Sequence, residues 1–108
     1  MNDVRAELSV SDYSQLGPLE KYLKSAVPDA RVSRVPGQPL AGEQGVLDVL
    51  AVLGSSGGLV AAIRVLPEFL RSRKTGLSIT MTVRGEPFTL TATNVDEVMP
   101  ILERLLHD

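Results

Sequence analysis

The sequence contains no cysteine and no tryptophan, and its one histidine, His107, is the penultimate residue. Without cysteine there is no disulfide and no thiolate metal ligand, and one histidine is too few for the usual zinc ligand sets. Ser-His-Asp and Cys-His arrangements are excluded too, because a histidine in a fraying terminus is not held in the fixed geometry of a general base. We therefore predict that the chain is not an enzyme, with no catalytic residue, metal ion or cofactor.

A surplus of positive charge is also missing. The chain has 11 basic and 13 acidic side chains, for a net charge of -2. This balance does not suit a general nucleic-acid binder, which must displace counterions from phosphates, so nucleic acid is not an expected partner. The one dense basic cluster is Arg71, Arg73 and Lys74. It is typical of a solvated helix C-terminus, and the alternative is a contact with a phosphate or an acidic partner.

Targeting signals are absent from the first residues, which lack a basic segment followed by an apolar one. Together with the absence of cysteine, this predicts a cytoplasmic location. The 108 residues are the length of one ordinary domain, so we expect a single domain over residues 1–108. With only four aromatic side chains, its core must be mostly aliphatic: Tyr13, Tyr22, Phe69 and Phe88.

The first third of the chain predicts a strand, a helix and a second strand. Apolar and polar residues alternate from Val4 to Val10, which is typical of a strand with one buried face. Ser11 or Asp12 then supplies a helix N-cap, and leucines at helical spacing continue to about Ala26. A short strand is predicted over Arg31–Val35, followed by a loop over residues 36–42.

The apolar segment from Glu43 to Lys74 is predicted as a helical hairpin. The first helix covers Val46–Leu53 and the second follows a turn over residues 54–58, with Ser55 or Ser56 as its N-cap. The alternative is that 46–53 forms a fully buried strand, because periodicity does not separate the two for so short an apolar run. Asp48 interrupts this run, and we expect it at the solvent edge or paired with Arg64.

The last third of the chain predicts a β-hairpin and a helix. Apolar residues alternate with hydroxyl residues over 77–83 and 88–93, around a turn at residues 85–87. Asn94 is predicted to cap the last helix, with Glu97 as its reciprocal capping partner. The fold class is therefore α+β: a single small two-layer domain in the order β-α-β-α-α-β-β-α, with an antiparallel-rich sheet and helices on one face.

Two other patterns in the sequence have some features of a functional site. The glycine-rich residues 54–58 do not form a phosphate loop, because Leu59 and Val60 stand where Lys-Ser or Lys-Thr is required. A carboxylate pair such as Glu43 and Asp48 is formally possible, but residues five apart on a helix do not share a face. An enzyme that uses carboxylates alone remains a minor hypothesis.

The sequence resembles the effector-associated constant component family, type one, of actinobacterial biological conflict systems. The resemblance is carried by residues 42–45 leading into Val46–Leu53, by residues 53–58, by the helix end at 69–73 and by the hairpin over 77–94. It implies a non-enzymatic adaptor in a bacterial, antiviral-type defence system. The implied partners are proteins encoded nearby, a peptidase-like effector or a nucleotide-hydrolysing protein, and self-association is a further option.

We accordingly predict a protein-binding adaptor, with the hairpin and its basic end as the surface that faces the partner. Apolar surface beside charge suits a protein interface. The alternative is a membrane-associating effector that uses the apolar helical hairpin 43–74, although the charges of Asp48 and Arg64 are costly at bilayer depth. The candidate partner surface consists of Glu43, Arg64, Phe69, Arg71, Arg73 and Lys74.

Overall fold

The fold is known from a computed structural model, which describes residues 4–37, 47–73 and 76–107. Within these residues there are five strands: β1 Val4–Val10, β2 Arg31–Pro36, β3 Asp48–Gly54, β4 Ser78–Val83 and β5 Glu86–Thr91. They form one antiparallel sheet in the order β2-β3-β1-β4-β5. Three α-helices accompany them: α1 Leu16–Ala26, α2 Ser56–Ser72 and α3 Val95–His107. The first six elements have the order and strand arrangement of a ferredoxin-like fold, which β5 and α3 extend.

The predicted fold class is confirmed, because an antiparallel sheet carries the described helices on one face. The alternation in β1 gives the reason, since Ala6 and Leu8 are buried toward the helices while Arg5 and Glu7 point the other way. α2 begins after Ser55, whose hydroxyl accepts a hydrogen bond from the Gly58 N–H at 3.1 Å. One aliphatic core under all three helices joins the sheet to them.

The predicted helical hairpin over 43–74 is wrong, and the alternative strand is right. Residues 48–54 form β3, which lies between β2 and β1, so the order is β-α-β-β-α-β-β-α. The apolar run does not alternate because both faces of β3 are apolar: Leu50 and Val52 point into the core, and Val49, Ala51 and Leu53 point away from it. A strand with two apolar faces has no period of two, which is why its pattern resembles a helix.

The hairpin prediction is confirmed, with its turn one residue earlier than expected. Val83 pairs with Glu86, so Arg84 and Gly85 alone form the loop. Both have positive φ, 53° and 83°, which is the pattern of a type I′ turn. Gly85 adopts this conformation without a Cβ clash.

The side chain of Asn94 is directed at β5 and not at the helix that follows it. α3 begins directly after Asn94, but the reciprocal capping with Glu97 is not formed. The Asn94 Oδ1 accepts a hydrogen bond from the Thr91 N–H at 2.8 Å, and its Nδ2 donates to the Thr89 carbonyl at 3.0 Å. The Thr91 hydroxyl in turn accepts from the Asn94 N–H at 3.1 Å. The amide therefore covers the outer edge of β5 in the manner of a neighbouring strand.

Replacing Asn94 with alanine is expected to lower the free energy of unfolding by about 1–2 kcal/mol, because two backbone groups lose their partners. Asn94→Asp keeps the acceptor for Thr91 and loses the donor to Thr89, so it should fall between the two. Urea unfolding of the three proteins measures the difference. Equal stability of the alanine variant and the unmodified protein would contradict the bonding described.

Candidate functional site

Two of the predicted surface residues connect α2 to α3. The Arg64 guanidinium donates to the Glu103 carboxylate at 3.0 and 2.7 Å, so the predicted pairing of Arg64 with Asp48 is wrong. Arg71 donates from Nη2 to both carboxylate oxygens of Asp96, at 3.0 and 3.1 Å. These arginines lie on the surface, as predicted, but they already have carboxylate partners within the described chain. Because the pairs are solvent-exposed, each stabilises the fold only modestly.

Phe69 lies in the core, which removes it from the candidate partner surface. Its side chain is 1% exposed, and the Arg73 guanidinium carbon lies 4.4 Å from its ring centroid. The Tyr22 ring packs at 5.4 Å on the same ring, and its hydroxyl donates to the Val65 carbonyl at 3.0 Å. Burial, and secondarily Glu68, raises the pKa of Tyr22.

The other two predicted surface residues, Glu43 and Lys74, lie outside the described residues, as does most of the predicted loop over 36–42. The basic corner predicted at 71–74 is therefore represented by Arg71 and Arg73. One of them binds a carboxylate and the other covers an aromatic ring. The described residues do not bring the six predicted positions together as one exposed patch.

The face of the sheet opposite the described helices divides into two halves. The half formed by β4 and β5 carries hydroxyl side chains, among them Ser78, Thr80, Thr82, Thr89 and Thr91. The half formed by β2 and β3 carries Arg31 and Ser33 next to a set of aliphatic side chains. We call these aliphatic side chains the aliphatic row: Val35, Leu47, Val49, Ala51 and Leu53.

The aliphatic row is the feature that sequence reasoning missed. Leu47 is 66% exposed, and Val35, Val49 and Leu53 are half-buried. The Gly37 N–H donates to the Leu47 carbonyl at 3.0 Å, which places Leu47 in the same register as the strand. The signal in the sequence was the apolar run over residues 46–53, interrupted only at Asp48, that suggested a helix. A strand with a polar outer face would have alternated instead.

A depression of about 700 Å³ lies along β2, beside the aliphatic row. Val35, Ala51 and Leu53 form part of its floor, so it shares three members with the row. No carboxylate is found among the described side chains that line it, whereas the whole chain has a net charge of -2. Its lining includes three cationic side chains: Arg5, Lys24 and Arg31. We call it the β2 depression.

Carboxylates just outside the β2 depression pair with two of the cations that line it, Arg5 and Lys24, and with Arg34 beside it. Glu20 accepts from Lys24 at 2.9 Å and from Arg34 at 3.3 Å. Its hydrogen bond with Lys24, together with the charges of Lys24 and Arg34, holds the pKa of Glu20 below its ordinary value of 4.5. On β1, Arg5 pairs with Glu7 at 3.0 Å. The cations are therefore oriented by acids that lie outside the lining.

The lowered pKa of Glu20 predicts a pH-dependent contribution to stability. In the folded protein the Glu20 carboxyl binds its proton less tightly than in the unfolded chain. Its ionised form therefore stabilises the fold fully above pH 4.5, and this contribution is lost as the pH falls through the folded-state pKa. Glu20→Gln should cost below about 1 kcal/mol at pH 7, and the difference should vanish in acid. Urea unfolding from pH 7 to pH 3 measures it, with Glu97→Gln as an exposed control. A constant difference across this range would contradict the prediction.

Neither a metal site nor a phosphate loop is formed in the described part of the chain. No cluster of three or more His, Cys, Asp or Glu residues there could hold a metal ion. The glycine-rich segment 54–58 forms the end of β3 and the start of α2, where Ser55 caps the helix. No helix in the ranges described above has the length and apolar character needed to cross a bilayer. The membrane alternative also loses its structural basis, because residues 48–54 are a strand of the central sheet.

Residues 13–106 match the sequence model of Effector Associated Constant Component 1, which covers most of the chain. The chain belongs to this family. Membership makes it a component associated with effectors of biological conflict systems, and it confirms the resemblance inferred from the sequence. No curated protein matches this chain. Among solved structures, the NMR structure of a de novo designed protein with ferredoxin fold is similar, with 19% identity and a TM-score of 0.46 over 80% of this chain and 88% of that one.

Proposed function

We propose that this effector-associated component is a non-catalytic adaptor that binds other proteins through the aliphatic row. The partner would be a peptidase-like effector or a nucleotide-hydrolysing protein of the same bacterial conflict system. The family name supports association with an effector, and the aliphatic row supplies a surface for it. The row replaces the helical hairpin as the proposed site of contact.

The observation that carries this proposal is the apolar outer face of β3. Val49, Ala51 and Leu53 point away from the helices, yet they are as apolar as the residues that point into the core. Ala51 is buried and Val49 and Leu53 are half-buried, and the aliphatic surface that stays exposed gains about 25 cal/mol for each Å² removed from water. A contiguous patch of this kind, bordered by charge and hydroxyl groups, is typical of a protein interface.

The absence of catalysis is part of the proposal and has separate support. The chain offers no cysteine, and its single histidine is His107, at the end of α3. Two of the described carboxylates, Glu7 on β1 and Glu20 on α1, are engaged by cations. A side chain that is held in this way orients its neighbours and is poorly placed to act as a general base.

The proposal is tested by co-expressing the full chain with the products of the neighbouring reading frames. We expect one of them to co-purify with the chain at a fixed ratio through size-exclusion chromatography. Purified chain and partner should then reassemble when mixed, as measured by isothermal titration calorimetry. The proposal is wrong if the folded chain binds none of these products, or if it carries out a reaction on its own.

A further inference from the structure

We infer that the outer edge of β2 is a docking site for an extended acidic peptide segment of a protein partner, which adds to the sheet as a sixth strand. The inference rests on the proposed function, since it names the chemistry of the segment that the adaptor would hold. Three features of the described residues carry it. The two sheet edges differ in their free backbone groups, alternate residues of β2 have outward N–H and carbonyl groups, and the β2 depression is lined by cations.

The edge at β5 offers fewer free backbone groups to an added strand than the edge at β2. In the β4–β5 hairpin, alternate residues of β5 form backbone hydrogen bonds to β4. The residues between them have backbone N–H and carbonyl groups that point outward, and these are Pro87, Thr89 and Thr91. Pro87 has no N–H to donate. The Asn94 side chain takes the Thr91 N–H and the Thr89 carbonyl. Each of the three positions therefore lacks, or has already committed, one of its two backbone groups before any partner arrives.

The edge at β2 keeps its backbone groups available. The bond from the Gly37 N–H to the Leu47 carbonyl fixes which residues bond to β3, and the alternation leaves Val32, Arg34 and Pro36 pointing outward. Within the ranges described, no hydrogen bond reaches the backbone of Val32 or Arg34 on that side. Two N–H groups and three carbonyls thus line an edge to which a peptide can pair, as in other strand additions.

The charge beside this edge favours an acidic segment, because four cations stand there against two paired carboxylates, Glu7 and Glu20. Arg5, Lys24 and Arg31 line the β2 depression, and Arg34 stands on β2 itself. β2 contains no carboxylate, so a second copy paired through the same edge would bring arginines against arginines. A peptide whose acidic side chains alternate with aliphatic ones would instead place its aliphatic groups beside Val35 on the outer face and its carboxylates on the helix face, near Arg34 and Lys24.

Nucleic acid fits the same surface less well. Single strands are held by a cationic groove together with aromatic side chains on which bases stack. The described lining of the β2 depression contains no aromatic ring and has aliphatic side chains instead. The outward N–H and carbonyl groups of an edge strand match a peptide backbone. A protein segment is therefore the occupant that the surface favours.

The test uses the isolated full chain and synthetic probes, so it does not depend on finding the natural partner. A fluorescein-labelled peptide of alternating valine and glutamate is compared with its valine and lysine counterpart and with a labelled oligo-dT. Fluorescence anisotropy should show the glutamate peptide bound at least about tenfold more tightly than the lysine peptide. Equal binding of the two peptides, or tighter binding of oligo-dT, would overturn the inference.

A pair of variants separates the backbone of β2 from its charge. Arg34→Ala removes the guanidinium, and Arg34→Pro removes the outward N–H as well, at a position equivalent to that of Pro36 in the ladder. Arg34→Pro should bind the glutamate peptide about fivefold to tenfold more weakly than Arg34→Ala, as expected for one lost hydrogen bond. Identical affinities of two folded variants would rule out strand addition.

If the proline variant does not fold, amide hydrogen exchange on the unmodified protein tests whether the peptide pairs with the backbone of β2. The glutamate peptide should slow exchange of the Val32 and Arg34 amides by about tenfold or more, and leave the Thr89 amide unchanged. Unaltered exchange at Val32 and Arg34 with the peptide bound would overturn the inference. Failure here, with a natural partner still bound through the aliphatic row, would leave the proposed function standing.

Discussion

Replacing Phe69 with alanine is expected to lower the free energy of unfolding by about 3–5 kcal/mol, the largest stability effect among the positions considered. Phe69 is the largest of the fully buried side chains, and it contacts the Tyr22 ring and the Arg73 guanidinium. Alanine would leave a cavity under α2 that the aliphatic neighbours fill only in part. For a domain whose stability is about 5–15 kcal/mol, this change approaches unfolding.

Urea denaturation with fixed slope measures the effect of Phe69→Ala. Phe69→Leu keeps most of the volume and should lose less than the alanine variant. Arg73→Ala removes only the cover of the ring and should cost about 1 kcal/mol or less. If Phe69→Ala were as stable as Arg73→Ala, Phe69 would be a surface residue, and its place in the core would be incorrect.

Replacing Val49 with aspartate is expected to weaken binding of the partner by at least about 30-fold, the loss typical of an interface hot spot. The new carboxylate stands in the middle of the aliphatic row, where an interface would remove it from water without a partner. Val49 is half-buried on β3 and points away from the helices, so the core is not disturbed directly. The measurement is calorimetric titration with the partner identified by co-purification.

The matched control for Val49→Asp is Thr80→Asp. Thr80 is also half-buried, also lies on a strand that is not at an edge, and points to the same face, but in its hydroxyl half. Both variants place the same charge in a strand, so their losses of stability should be similar. Thr80→Asp should change affinity by no more than about threefold. Equal losses of affinity in the two variants would show that the whole face, or neither half, contacts the partner.

The elements with one buried face could be predicted from the sequence. β1 and the hairpin alternate because only one side of each strand lies in the core, and α2 shows a stripe of apolar residues at helical spacing. β3 could not be assigned in this way, since both of its faces are apolar. The same property that hid the strand marks the proposed binding surface.

The site was less accessible to sequence reasoning than the fold. Phe69 stands on the apolar stripe of α2, between Leu66 and Leu70, so its burial could have been predicted from spacing. The pairing of Arg64 with Glu103 spans 39 positions and depends on how α2 packs on α3. The cationic lining of the β2 depression comes from three separate elements, and only the sheet order brings them together.

The proposed aliphatic interface is tested most directly by methyl cross-saturation NMR on the complex with the natural partner. Saturating the partner should reduce the methyl signals of Val35, Leu47, Val49 and Leu53, because these groups would lie within contact distance of it. The signal of Ile101, which is 56% exposed on α3, should stay unchanged. Reduced intensity at Ile101, with the aliphatic row unaffected, would place the interface on the helices and contradict the account.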